Sequence, residues 1–474
     1  MKKISAPLAI VFLCLNIFLA AFSLTSCGKE EPERNTYKIS AVFDGEKIDG
    51  TLTYITRTDK DVVEFNLYAN AYKENAKYPV VENEDILKAY PEGTSYGGID
   101  INSVSVNQKN ADYELIGEDL NILRVPLSAS NDIRAEVEIA FTTHIPHSIT
   151  RLGINLGKVN LGDFFPVACV YGDSGYYECT YSPFGDPYYS EACDYEISLT
   201  VPSVYTVASS GFPVSTETGG ENTTYSFTLS GGRDFAFALG KDFAVTVKET
   251  DHASVYYYST EENVKMAELA ASCIDYFSEI FGEYPYKTYS VAEVGFLEGG
   301  MEYSGLSLIS ESLSSDEKFL AIIHETAHEW WHAVVGNNQI EDAYLDEGLA
   351  EYSTYLYLLN NGYSSEAEEM LSRAKSAYKS FFSIDELLAG TADTTMNRKL
   401  SEFKNKYEYV NIAYHKALIM FSEYENAVGQ SRAIKGLSVF YKKNAYQNVC
   451  IDNLIDCLGL KEFFYSYIDG KVII

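Results

Sequence analysis

Residues 319–332 read FLAIIHETAHEWWH, and inside them His324, Glu325 and His328 have a spacing with a chemical consequence. Four residues is close to one helical turn, so His324 and His328 stack on one face and can grip a single metal ion. Glu325, beside the first histidine, places a carboxylate within reach of a water on that ion. A third ligand is supplied by Glu347, nineteen positions beyond His328, in the stretch YLDEGLAE at 344–351. Two histidines and one glutamate with an open fourth position make the coordination of a catalytic zinc site rather than a structural one. His332 is a rival ligand, but on one straight helix His324, His328 and His332 would spread over about 12 Å, too far to converge on one ion. Glu351, one turn after Glu347, is placed either to orient His324 from behind or to sit on the surface.

Two elements must position these groups. The segment around His324 is apolar on nearly every side (Leu320, Ile322, Ile323, Ala327, Trp330, Trp331), which predicts a buried helix, and Ser314 with Glu317 offers a capping box at its start. Gly336, Asn337 and Asn338 then make a loop that lets a second helix fold back and aim Glu347 at the histidines. That helix ends at Asn361 and Gly362, and Ser365 with Glu368 starts another. Upstream, a helix capped at Thr260 runs to Phe281, and a strand at 289–294 leads into Gly299, Gly300, Met301 and Glu302.

Residues 36–248 have a different period. Tyr37, Ile39, Ala41 and Phe43 alternate with polar neighbours, as do Val137, Ile139, Phe141 and Tyr195, Ile197, Leu199, with turns at Asp44–Gly45, Asp49–Gly50 and Gly219–Gly220. This predicts half-buried antiparallel strands. The fold class is therefore α+β in two domains: an N-terminal antiparallel β-sandwich over 36–248, then a mainly helical domain over 249–474.

The first residues read as an address. Lys2 and Lys3 precede an apolar run and then LTSC at 24–27, which predicts a signal peptide over 1–26, lipidation at Cys27, a polar tether over 27–35 and a place on the extracytoplasmic face of a bacterial membrane. No later segment is long and apolar enough to span a bilayer. A formal charge of −32 argues against nucleic acid as a partner and against electrostatic binding to an anionic membrane. Of the remaining cysteines none has paired zinc-ligand spacing; Cys179 with Cys193 is the first disulfide to test, while Cys450 and Cys457 are about 10 Å apart along a shared helix.

With these residues in place, the chain resembles the aminopeptidase N family of gluzincin zinc metallopeptidases. Its signature, H-E-x-x-H, eighteen residues, then E, is met by His324, Glu325, His328 and Glu347. The family's G-x-M-E-N segment is similar to Gly299, Gly300, Met301 and Glu302, with Tyr303 replacing the asparagine. Tyr414, two residues before Lys416, resembles the family tyrosine, and GDPYY at 185–189 resembles the β domain of bacterial members. The resemblance implies a saddle-like β domain, a thermolysin-like catalytic domain, one Zn2+ and peptide substrates with a free N-terminus. The large C-terminal helical domain of longer members has no counterpart in the sixty residues after Tyr414.

In that setting Glu325 is the general base and Tyr414 stabilises the oxyanion. Glu302 pairs with the substrate's α-ammonium. Gly299 and Gly300 hold an extended peptide as an added strand, and Glu178 is a candidate second carboxylate from the β domain. The leading expectation is an aminopeptidase; the alternatives are a zinc endopeptidase with an open cleft and a non-catalytic peptide-binding surface lipoprotein.

Overall fold

The structure is a computed structural model that describes residues 33–127 and 133–472. The expected signal, Cys27 and most of the tether lie outside the described residues. From Asn35 onward the chain is one compact unit.

Alternating residues build its first half. Thr36–Phe43 buries every second side chain and pairs in parallel with Cys193–Pro202, putting Tyr37 opposite Tyr195, whose rings stack 4.9 Å apart. These two strands lie near the middle of an eight-stranded sheet running from Phe212–Gly219 at one edge to Lys109–Asn110 at the other. Two four-stranded sheets complete this sheet-built N-terminal half, and the parallel pairing of Thr36–Phe43 with Cys193–Pro202 departs from the expected all-antiparallel sandwich. One expected turn is instead strand: Asp49 and Gly50 lie within Lys47–Thr58. The glycine is there for space, since a Cβ on Gly50 would sit 2.4 Å from the Phe141 ring across the pair.

A five-stranded sheet begins at Ala244–Glu249 and continues through Ser254–Ser259, Thr288–Val294 and Leu306–Ser310 to its edge strand, Gly300–Tyr303. Thr288–Val294 is buried along its whole length, as expected of a strand covered on both faces. Helices make up most of the rest. Val264–Ile280 is capped by Asn263, whose side chain accepts from Met266 N, and not by Thr260. Ser315–Ala327 carries the metal motif and opens with the expected capping box between Ser314 and Glu317. Ala343–Asn360 carries Glu347 and is followed by Ser364–Ala389. The motif helix does not run straight to His332: it ends at Ala327, and a π-helical segment, Glu329–Val334, follows with Trp331 kinked out of helical geometry.

Candidate active site

The ends of these elements converge on a cleft of about 810 Å³. Glu347 reaches the histidines because Gly348 lets its helix lie close against the helix Ala417–Val428; a Cβ there would be 2.5 Å from that of Ala417. His324 Nε2 and His328 Nε2 are 3.1 Å apart, and Glu347 Oε2 is 3.2 Å from the first and 3.4 Å from the second. Ligand atoms held 2.0–2.1 Å from one tetrahedral ion are about 3.3 Å from each other, so this triangle fits zinc. Glu325 Oε2 beside it is buried without a hydrogen-bond partner.

The charges support the same reading. Burial pushes the Glu325 carboxyl up to about 7 against the pull of His324 and His328. Burial would also raise Glu347, but hydrogen bonds from both imidazoles hold it well below the usual carboxylate range. His324 is raised although burial opposes it, because the Glu347 and Glu351 carboxylates lie beside its two ring nitrogens. Glu302 is pushed well above its ordinary value by burial and then by Asp186 and Glu325. So many acids in one buried place call for a bound cation.

The other expected residues are spread around this centre. Tyr414 sits in a π-helical segment, Asn411–Lys416; its ring stacks on His324 and its hydroxyl donates to Glu347 Oε1. Glu351 Oε1 lies 3.1 Å from His324 Nδ1, the orienting position rather than the surface one. Glu302, on the edge strand, lines the cleft with Gly299 and Gly300. Only Gly300 is tight: a Cβ there would lie 2.3 Å from Glu325 Oε1, whereas Gly299 faces open space.

His332 leaves the metal site, and its Nε2 pairs with Asp234 at 2.8 Å. Glu178 is not the second carboxylate. It is partly exposed, lies 3.6 Å from Arg124 and does not line the cleft. Asp186, in the GDPYY stretch, is instead a β-domain carboxylate that does line the cleft. It is buried in the cleft wall, 2.5 Å from Arg151 Nη2. Cys179 and Cys193 are both buried and form no disulfide with each other, and burial raises Cys179 to about 12. Sequence reasoning also missed Gln339, whose carboxamide donates to Glu302.

A metal triad on two helices, a glutamate beside it and a sheet-edge strand facing it define the zinc-metallopeptidase class of site. Residues 266–464 match the peptidase family M1 domain, and His324, His328 and Glu347, whose ligand atoms lie within 4.8 Å of one another, fall inside that stretch. It is 26% identical over 243 residues to aminopeptidase 2, mitochondrial, of Saccharomyces cerevisiae, covering 48% of this chain and 24% of that protein. It is 25% identical over 234 residues to leukotriene A-4 hydrolase of Xenopus laevis, covering 48% of this chain and 35% of that one. The chain thus spans about a quarter to a third of the length of these relatives. Among solved structures, the M1 zinc metallopeptidase of Deinococcus radiodurans has the same fold, with a TM-score of 0.64 at 15% identity over 95% of this chain and 96% of that one. A mutant of that protein bound to a Tyr-Ser-Ala substrate matches with the same score over 97% of its chain.

Proposed function

We propose that the protein is a zinc-dependent aminopeptidase that removes N-terminal residues from peptides outside the cytoplasm, held to the membrane by lipid on Cys27. The observation that carries this reading is the cleft itself, where two buried carboxylates, Glu302 and Asp186, stand beside the metal triad. His324, His328 and Glu347 would hold a zinc ion, which would supply a Lewis acid for the scissile carbonyl and for water.

The protein's own groups do the rest. Glu325, whose Oε2 is buried beside the triad without a hydrogen-bond partner, accepts the proton of the attacking water and hands it to the leaving amine. Tyr414 stays protonated because burial raises its hydroxyl, so it remains a donor that can turn from Glu347 to the carbonyl oxygen as charge grows there. The free edge of Gly300–Tyr303 pairs with an extended peptide backbone. Glu302 and Asp186 take the α-ammonium, which sets the cut one residue from the N-terminus.

The test compares leucyl and N-acetyl-leucyl fluorogenic substrates on the purified protein, with zinc measured before and after chelation. Hydrolysis of the free-amine substrate alone, lost on chelation and restored by zinc, is the expected result. Glu325→Gln should keep its zinc and lose about 10²- to 10⁴-fold in kcat. Cleavage of only the blocked substrate would instead make this an endopeptidase. Hydrolysis indifferent to Glu325→Gln would place the activity elsewhere.

A further inference from the structure

Gln339 lies in the loop between Glu329–Val334 and Ala343–Asn360 and is 2% exposed. Its carboxamide nitrogen has two hydrogens and, in this structure, two acceptors: Glu302 Oε1 at 2.9 Å and Asp346 Oδ2 at 2.8 Å. Its backbone N–H donates to the carbonyl of Tyr188 at 3.2 Å, two residues from Asp186. One residue therefore ties together the sheet-edge strand, the helix bearing Glu347 and the β-domain segment that supplies the second carboxylate.

The two acceptors are engaged unequally. Asp346 takes a further bond through its other oxygen, from Asn337 Nδ2 at 3.1 Å. Glu302 takes one from Gln339 on one oxygen and lines the cleft. Glu302, Asp346 and His332 present ligand-type atoms within 4.8 Å of one another. The hydrogens of Gln339 already bridge the two carboxylates, however, and His332 is committed to Asp234, so the cluster is hydrogen-bonded support and not a second cation site. Without that bridge two buried like charges would face each other and push apart.

We propose that Gln339 is the positioning residue of the amine subsite, holding Glu302 so that one carboxylate oxygen faces the substrate's α-ammonium. This rests on the aminopeptidase reading above. It also accounts for how Glu302 keeps its aim with Tyr303 in place of the family's asparagine.

The experiment uses Gln339→Met, which removes both donors at similar volume, and Gln339→Asn, which keeps an amide one methylene shorter. For each, KM and kcat are measured on the leucyl fluorogen, together with bound zinc and inhibition by leucinamide and its desamino twin, 4-methylpentanamide. Gln339→Met should raise KM about tenfold, the effect of about 1.4 kcal/mol of lost ammonium pairing. Its kcat should stay within about twofold and its zinc content unchanged. The leucinamide Ki should rise in step while that of the desamino twin stays put, and Gln339→Asn should show a smaller rise. If the methionine variant does not fold, the asparagine variant alone decides, through the same split between the two inhibitors.

Unchanged KM, equal weakening of both inhibitors, or parallel loss of kcat and zinc would each overturn the proposal. Failure of the underlying reading looks different: the unaltered protein would then cleave only the blocked substrate, and the inference would fall with it.

Discussion

Glu325 has little room, and the space it occupies is created by a glycine. A methyl group on Gly300 would meet Glu325 Oε1 at 2.3 Å, and the carboxylate is the piece free to move. Gly300→Ala should therefore fold and bind zinc yet lose more than about tenfold in kcat, since a misplacement of about 1 Å costs as much as 10²-fold. A Cβ on Gly299 would meet no protein atom, so Gly299→Ala should keep its kcat whatever it does to KM, and equal kcat values for the two variants would refute this account. The same scale shows what could be read from sequence. The metal ligands and Glu325 were legible because helical spacing alone brings them together, and Glu347 because a loop and a second helix leave few other places for it. Asp186 and Gln339 were not, because their positions depend on a β-domain loop and a helix–helix loop meeting in space. Glu178 was a wrong choice for a related reason: its stretch of the β domain leaves it exposed and outside the cleft lining.

The helices around the cleft are stabilised partly by capping and partly by buried polar ties. Ser314 and Glu317 could be read as a cap from four residues, and the kink at Trp331 could not, because the chain's apolar pattern continues through it. Just beyond Tyr414, Lys416 is fully buried, with its ammonium donating to the backbone carbonyls of Thr394 and Tyr467. Burial, reinforced by Arg398 and opposed by Asp393, lowers its pKa to about 7. In the unfolded chain a lysine titrates near 10.4, so between about pH 7 and 10 the unfolded state binds the proton and the native state does not. Stability from this group thus rises with pH across that window, and its cost is greatest and constant below pH 7. Lys416→Met should remove this dependence. The stability gap between the two proteins, from denaturant melts at pH 7 and 9.5, should change by a few kcal/mol in favour of the native lysine at the higher pH. A gap that does not move with pH would mean that Lys416 titrates normally.

Across the whole molecule, the cleft depends on its two halves staying packed, and Arg233 is a visible tie between them. Its buried guanidinium donates to the carbonyls of Ser190 in the first half and Gln447 in the second, and Gly336 leaves the space it fills. The proposed attachment to a membrane through Cys27 also belongs to the scale of the whole molecule. Among the described residues no helix is long and apolar enough to cross a bilayer, and a formal charge of −32 is repelled by anionic lipid. In the proposed arrangement a lipidated cysteine would anchor the chain through about 0.8 kcal/mol per buried CH₂ over more than one acyl chain. If the proposed localisation holds, the full-length protein should fractionate with membranes, and its N-terminal peptide should carry the added mass of acyl chains on Cys27. Cys27→Ala should release it to the soluble fraction with its specific activity toward the leucyl substrate intact, because residue 27 is outside the folded unit that begins at Asn35. A Cys27→Ala protein that still sediments with membranes would show that something other than this lipid holds it there.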